Sequence, residues 1–126
     1  MISKLTLFKL FTLAYFIFTS FLFFKPINIE GTQLFPHFDK LAHCLVFLSL
    51  SFLVELCINN NHKQKIVYLA CYGALVEIIQ GSFFNREMSF LDWLADILGI
   101  VIFYFIFFKT KFSCIRLWVM AQLRPC

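Results

Sequence analysis

The sequence predicts an all-α, polytopic membrane protein: four transmembrane helices in a small antiparallel bundle, with both termini in the cytoplasm. Three observations carry that prediction. Of 126 residues, 61% are hydrophobic and only 14% charged, with a mean hydropathy of +0.84, whereas a water-soluble domain carries about a quarter of its residues as charges. Apolar runs approaching the roughly 20 residues that cross a bilayer alternate with short polar breaks. Lys and Arg are distributed unequally between alternate breaks, as the positive-inside rule requires. The length suits a single domain, residues 1–126.

The first span is expected at about residues 5–24, LTLFKLFTLAYFIFTSFLFF, and is closed by Lys25 and Pro26. A secretory signal is the rival reading, with Lys4 and Lys9 as its basic region, but the apolar run is long and no A-x-A-like site follows it. A retained helix is therefore preferred. Residues 26–36 read as a loop, broken by Asn28, Gly31 and two prolines. The second span is expected at about 39–58, and the polar run NNNHKQK makes the turn after it. A third at about 66–82 leads through GSFFNREMS to a fourth at about 91–108. Short connections make successive helices antiparallel. The tail, 109–126, sets Phe112, Ile115, Val119 and Leu123 near one helical face. It reads either as a helix lying along the membrane surface or as a short frayed end.

With the N-terminus inside, the cytoplasmic side holds Lys4, Lys9, Lys63, Lys65, Lys109, Lys111, Arg116 and Arg124, and the other side Lys25, Lys40 and Arg86. These basic residues stand between apolar runs rather than in one patch, which argues against a nucleic-acid partner. The five cysteines, at 44, 57, 71, 114 and 126, lack C-x-x-C spacing and read as small hydrophobes.

That topology brings scattered polar residues to one membrane face. Asp39, Lys40 and His43 open the second span, Glu77 and Gln80 close the third, Arg86 follows in the loop, and Asp92 and Asp96 open the fourth. Asp39 and His43, like Asp92 and Asp96, are four apart, so each pair shares a helical face. His43 and Asp96 lie about 6 Å deeper than the first acid of their span. The expected feature is a shallow, outward-facing acidic cup, with Gly73 and Gly99 allowing close helix approach. Its acid–base candidates are His43, Glu77, Asp92 and Asp96. Two readings stand: a network that only fixes helix packing, or a site, since ionisable groups inside a membrane cost roughly 2.5–3.5 kcal/mol each. Metal binding by His43, Glu77 and the aspartates is chemically possible, but no H-x-x-x-H, H-E-x-x-H or acidic-loop spacing supports it, and neither a metal nor a cofactor is expected. Glu55 reads as an interfacial residue, His37 and His62 as solvated loop residues, and Ser82 and Ser89 as turn residues without a triad signature.

The same residues carry a resemblance. PHFDKLAHCLVFLSLSFL resembles the D-K-x-x-H signature opening the second helix of VanZ-like proteins. GALVEIIQ with the arginine of FFNREMS resembles their G-x-x-x-E-x-x-Q and downstream R, and SFLDWLADILG their D-x-x-x-N/D-x-x-G. The match covers about residues 26–108 in order. It departs at Asp96, where many members have asparagine. The family takes its name from an accessory protein associated with teicoplanin resistance, and its members share no established biochemical activity. The resemblance implies a multi-pass protein of the bacterial cytoplasmic membrane that contacts lipid. Its cup would bind an anionic lipid or wall precursor through Lys40 and Arg86, with an effect on envelope state or glycopeptide susceptibility. The alternatives are an enzyme acting on a lipid headgroup by acid–base chemistry, and a structural or transport subunit working as a homo-oligomer or with a membrane partner.

Overall fold

A computed structural model describes residues 3–24, 38–83, 88–107 and 112–123. Every element among them is helical: α1 (Lys4–Phe24), α2 (Phe38–Cys57), α3 (His62–Phe83), α4 (Phe90–Ile102), a π-helical segment (Phe103–Phe107) that continues α4, and α5 (Phe112–Leu123). α1, α2 and α3 are each long and apolar enough to cross a membrane, the architecture of an integral membrane protein. α4 reaches only 13 residues before its ladder loosens into the π turn. The expected fourth span at 91–108 is thus a composite element, and its final residue lies outside the described ones.

Exposure is distributed as in a lipid-facing bundle. Leu7, Phe11, Phe18 and Phe21 on α1 are each more than half exposed, while His43, Glu55, Lys65, Glu77, Gln80, Asp92 and Asp96 are buried. In water this arrangement would sacrifice the apolar burial that drives folding. In hydrocarbon the outward faces lose nothing, and association rests instead on packing and interhelical hydrogen bonds. Tyr15 meets Ser49 at 2.7 Å and Ser20 meets Tyr72 at 2.6 Å, tying α1 to α2 and α3. Phe47, Leu50, Leu69, Val76 and Ile100 fill the centre between α2, α3 and α4.

The most extensive packing is between α2 and α4, and Gly99 explains it. A Cβ there would collide with the Cys44 carbonyl oxygen and come within 3.0 Å of the Leu48 nitrogen, so only a residue without a side chain lets the two backbones meet. Gly73 serves a different purpose. Its missing Cβ would lie 2.8 Å from Asp96 Oδ2 and 3.3 Å from the Phe47 ring, so the glycine leaves room for a buried carboxylate.

Two expectations need correction at the α2–α3 turn. The run NNNHKQK is not all turn, because α3 already begins at His62 rather than near 66. Asn61 caps it: the Asn61 carbonyl accepts from Lys65 N–H at 3.2 Å, and its side chain accepts from Lys63 N–H at 3.4 Å. His62 is accordingly a first-turn helical residue and not a loop residue. In the tail, 112–123 is helical, with Val119 packed against Leu56 and Phe103 while Leu117 and Trp118 stand exposed. Of the described cysteines, Cys44, Cys57, Cys71 and Cys114 are free thiols.

Candidate functional site

The N-terminal ends of α2 and α4 meet the C-terminal end of α3, and the polar residues of all three converge there. Lys40 Nζ donates to Asp92 Oδ1 at 2.8 Å. One turn deeper, His43 Nδ1 and Asp96 Oδ1 are 2.9 Å apart, with both side chains almost completely buried. Glu77 Oε1 stands 3.8 Å from the same imidazole nitrogen. Phe23 of α1 covers the ring, the two centroids lying 4.5 Å apart.

The α4 N-terminus shows how the sequence builds this. Ser89 is the N-cap, its hydroxyl accepting from Asp92 N–H at 3.3 Å. In an ordinary capping box the acid three residues on would reach back to the cap's own N–H. Here Glu77 of α3 takes that N–H through Oε2 at 3.2 Å, which releases the Asp92 carboxylate to pair with Lys40. One substitution of partners docks α3 onto α4 and joins α4 to α2. Asp92 also lies in the first turn of α4 and Asp39 in the first turn of α2, where the positive end of a helix dipole favours a carboxylate.

Not every expected member joins the cluster. Gln80 is buried on α3, but its Nε2 donates to the Phe23 carbonyl at 2.7 Å, so it clamps the exposed end of the α1 ladder instead of facing His43. Arg86 lies outside the described residues. Asp39 is half-buried at the rim, with a carboxylate oxygen within 4.8 Å of ligand atoms of His43 and Asp92. Ser89 uses its hydroxyl as a cap.

The cluster is incompletely satisfied. His43 Nε2, Glu77 Oε1 and Asp96 Oδ2 are buried with no hydrogen-bond partner among the described residues. Each such atom costs about 1–3 kcal/mol against a paired one. A network retained only for packing would be expected to close these valences.

A second polar cluster, which the sequence reading missed, occupies the other end of α2. Glu55 was expected at the interface, but it and Lys65 are fully buried and bonded at 2.8 Å, with His62 Nδ1 3.2 Å from the same carboxylate oxygen. Tyr104 of the π segment lies beside His62, ring centroids 6.2 Å apart. A signal was present: positions 55 and 65 are equidistant from Asn60 at the centre of the polar turn, and antiparallel helices joined by a short turn place such residues at one depth.

The fold and these sites define a membrane-type helical bundle with a buried histidine–carboxylate cluster at one end and a buried lysine–glutamate pair at the other. No protein-family model matches the chain, and no curated protein or solved structure matches it either.

Proposed function

We propose that this chain is a VanZ-like protein of the bacterial cytoplasmic membrane that binds an envelope component at its histidine–carboxylate end. In this reading it crosses the bilayer four times, α4 and its π continuation making the last crossing. Both termini lie in the cytoplasm and the cluster opens outward. The observation that carries the reading is the convergence of Lys40, His43, Glu77, Asp92 and Asp96 from three helices, with buried polar atoms left unmatched among the described residues. The Lys40 side chain remains about a third exposed at the rim while Asp92 holds it. An anionic or phosphate-bearing headgroup would share that ammonium with Asp92, and Arg86 is the candidate second cation. An enzymatic reading has an oriented imidazole in the His43–Asp96 pair, but Ser89, the serine nearest the cluster in sequence, is engaged as a cap.

The test is in cells in which the chain produces a measurable envelope phenotype, such as altered glycopeptide susceptibility. Glu77→Gln, Asp92→Asn and Arg86→Gln, made singly, are each expected to abolish the phenotype at unchanged membrane levels. Retention of the phenotype in all three would rule out the cluster as the site, and a lipid-linked precursor accumulating on deletion would move the reading to an enzyme.

A further inference from the structure

The inner part of the cluster has the donor set of a cation site. His43, Glu77 and Asp96 each offer one ligand atom, all three atoms lie within 4.8 Å of one another, and all three residues are buried. The separations fit a metal. Two donors each about 2.0–2.2 Å from a zinc-like ion, at tetrahedral or octahedral angles, lie about 3–3.5 Å apart. His43 Nδ1 stands 2.9 Å from Asp96 Oδ1 and 3.8 Å from Glu77 Oε1, separations that bracket this range, and the two carboxylates offer atoms within 4.8 Å of each other.

A second, independent observation points to a ligand. Glu77 is only 5% exposed, yet among the described residues its Oε1 has no hydrogen-bond partner while facing the imidazole. Charge points the same way. Among the described residues Lys40 pairs with Asp92, and the buried Glu77 and Asp96 carboxylates flank one imidazole, with Asp39 adding a further carboxylate at the rim. A divalent cation would compensate the two buried carboxylates, and buried charges are tolerated only when compensated.

We propose that His43, Glu77 and Asp96 bind one divalent first-row transition-metal ion. The single imidazole favours Zn²⁺ or Mn²⁺ over Mg²⁺, which takes oxygen ligands and dehydrates reluctantly. Coordination through Nδ1 would replace the hydrogen bond between His43 and Asp96. Three protein ligands leave at least one coordination position open, to water or to an oxygen of a bound molecule. Asp39 and Asp92, whose ligand atoms lie within 4.8 Å of one of His43's, form an acidic approach from the rim. Linear spacing shows no metal motif because the three donors come from three different helices.

The test uses the full chain, purified in detergent, freed of metal with a chelator and titrated with Zn²⁺, with Mg²⁺ as the contrast. One equivalent of Zn²⁺ is expected, with a rise in thermal stability that Mg²⁺ does not reproduce. Co²⁺ in place of zinc should give visible bands without thiolate charge transfer. Glu77→Gln and Asp96→Asn should each weaken zinc binding by more than about 100-fold, beyond the roughly 10–100-fold typical of losing a neighbour of a ligand. Glu55→Gln, at the other end of the bundle, should leave it unchanged. Should Asp96→Asn fail to fold, the monodisperse Glu77→Gln protein decides alone. Absence of stoichiometric zinc, unchanged affinity in Glu77→Gln, or a thiolate signature from the cysteines would each overturn the proposal. The readout is independent of any envelope phenotype, so the metal site and the envelope function fail separately.

Discussion

At the scale of single residues, the two glycines of the motif do different work, and the difference is measurable. A Cβ at Gly99 meets the backbone of α2 at Cys44, which cannot rotate away; a Cβ at Gly73 meets the Asp96 carboxylate and the Phe47 ring tip, which can shift. Gly99→Ala is therefore expected to destabilise the bundle more than Gly73→Ala, both within the roughly 1–3 kcal/mol or more that overpacking costs. Thermal unfolding in detergent orders the two; equal midpoints would show that the α2–α4 contact is looser than it stands here. Both glycines were legible in the sequence as close-approach points. Which neighbour each one spares was not, because that depends on the rotation of α4 against α2.

At the scale of elements, helix ends carry the specificity. Glu77 caps α4 from α3, Gln80 clamps the end of α1, and Glu55 joins α2 to α3 through Lys65. The last of these is a buried ion pair, for which removing one partner costs about 3–5 kcal/mol while removing both for apolar groups is nearly neutral. Lys65→Met is expected to lower stability sharply and Glu55→Leu/Lys65→Met to recover most of the loss. A double-mutant cycle followed by unfolding in detergent checks this, and an additive pair of losses would mean that the 2.8 Å bond contributes little. The sequence placed the ends of α1 and α2 within one residue, since composition changes abruptly there. It missed the start of α3 by about a turn, because His62, Lys63 and Lys65 look like solvated turn residues until Asn61 is recognised as a cap and Glu55 as a buried partner.

At the scale of the whole molecule, composition and apolar runs predict four spans, of which α1, α2 and α3 are membrane-length helices, whereas the sidedness of the chain is a prediction of its charge pattern. Cys114 on α5 is exposed and gives a direct probe. With Cys44, Cys57, Cys71 and Cys126 replaced by Ser so that Cys114 is the remaining thiol, a membrane-impermeant maleimide should label it in inverted vesicles and not in intact cells; labelling in intact cells would reverse the orientation. The helical class and the end of the bundle at which Asp39, Lys40, His43, Glu77, Asp92 and Asp96 gather are legible in the chain alone, because helices of similar length joined by short turns alternate in direction and bring those ends together. The partners emerge from the packed bundle alone: Lys40 to Asp92, His43 to Asp96, Glu77 to the Ser89 N–H, Gln80 to α1, and Glu55 to Lys65. Periodicity fixes the face of a helix on which a residue lies, but pairing also requires the rotation and depth of each helix against its neighbours. Those are set by packing contacts such as Gly99 against Cys44, which no single stretch of sequence contains.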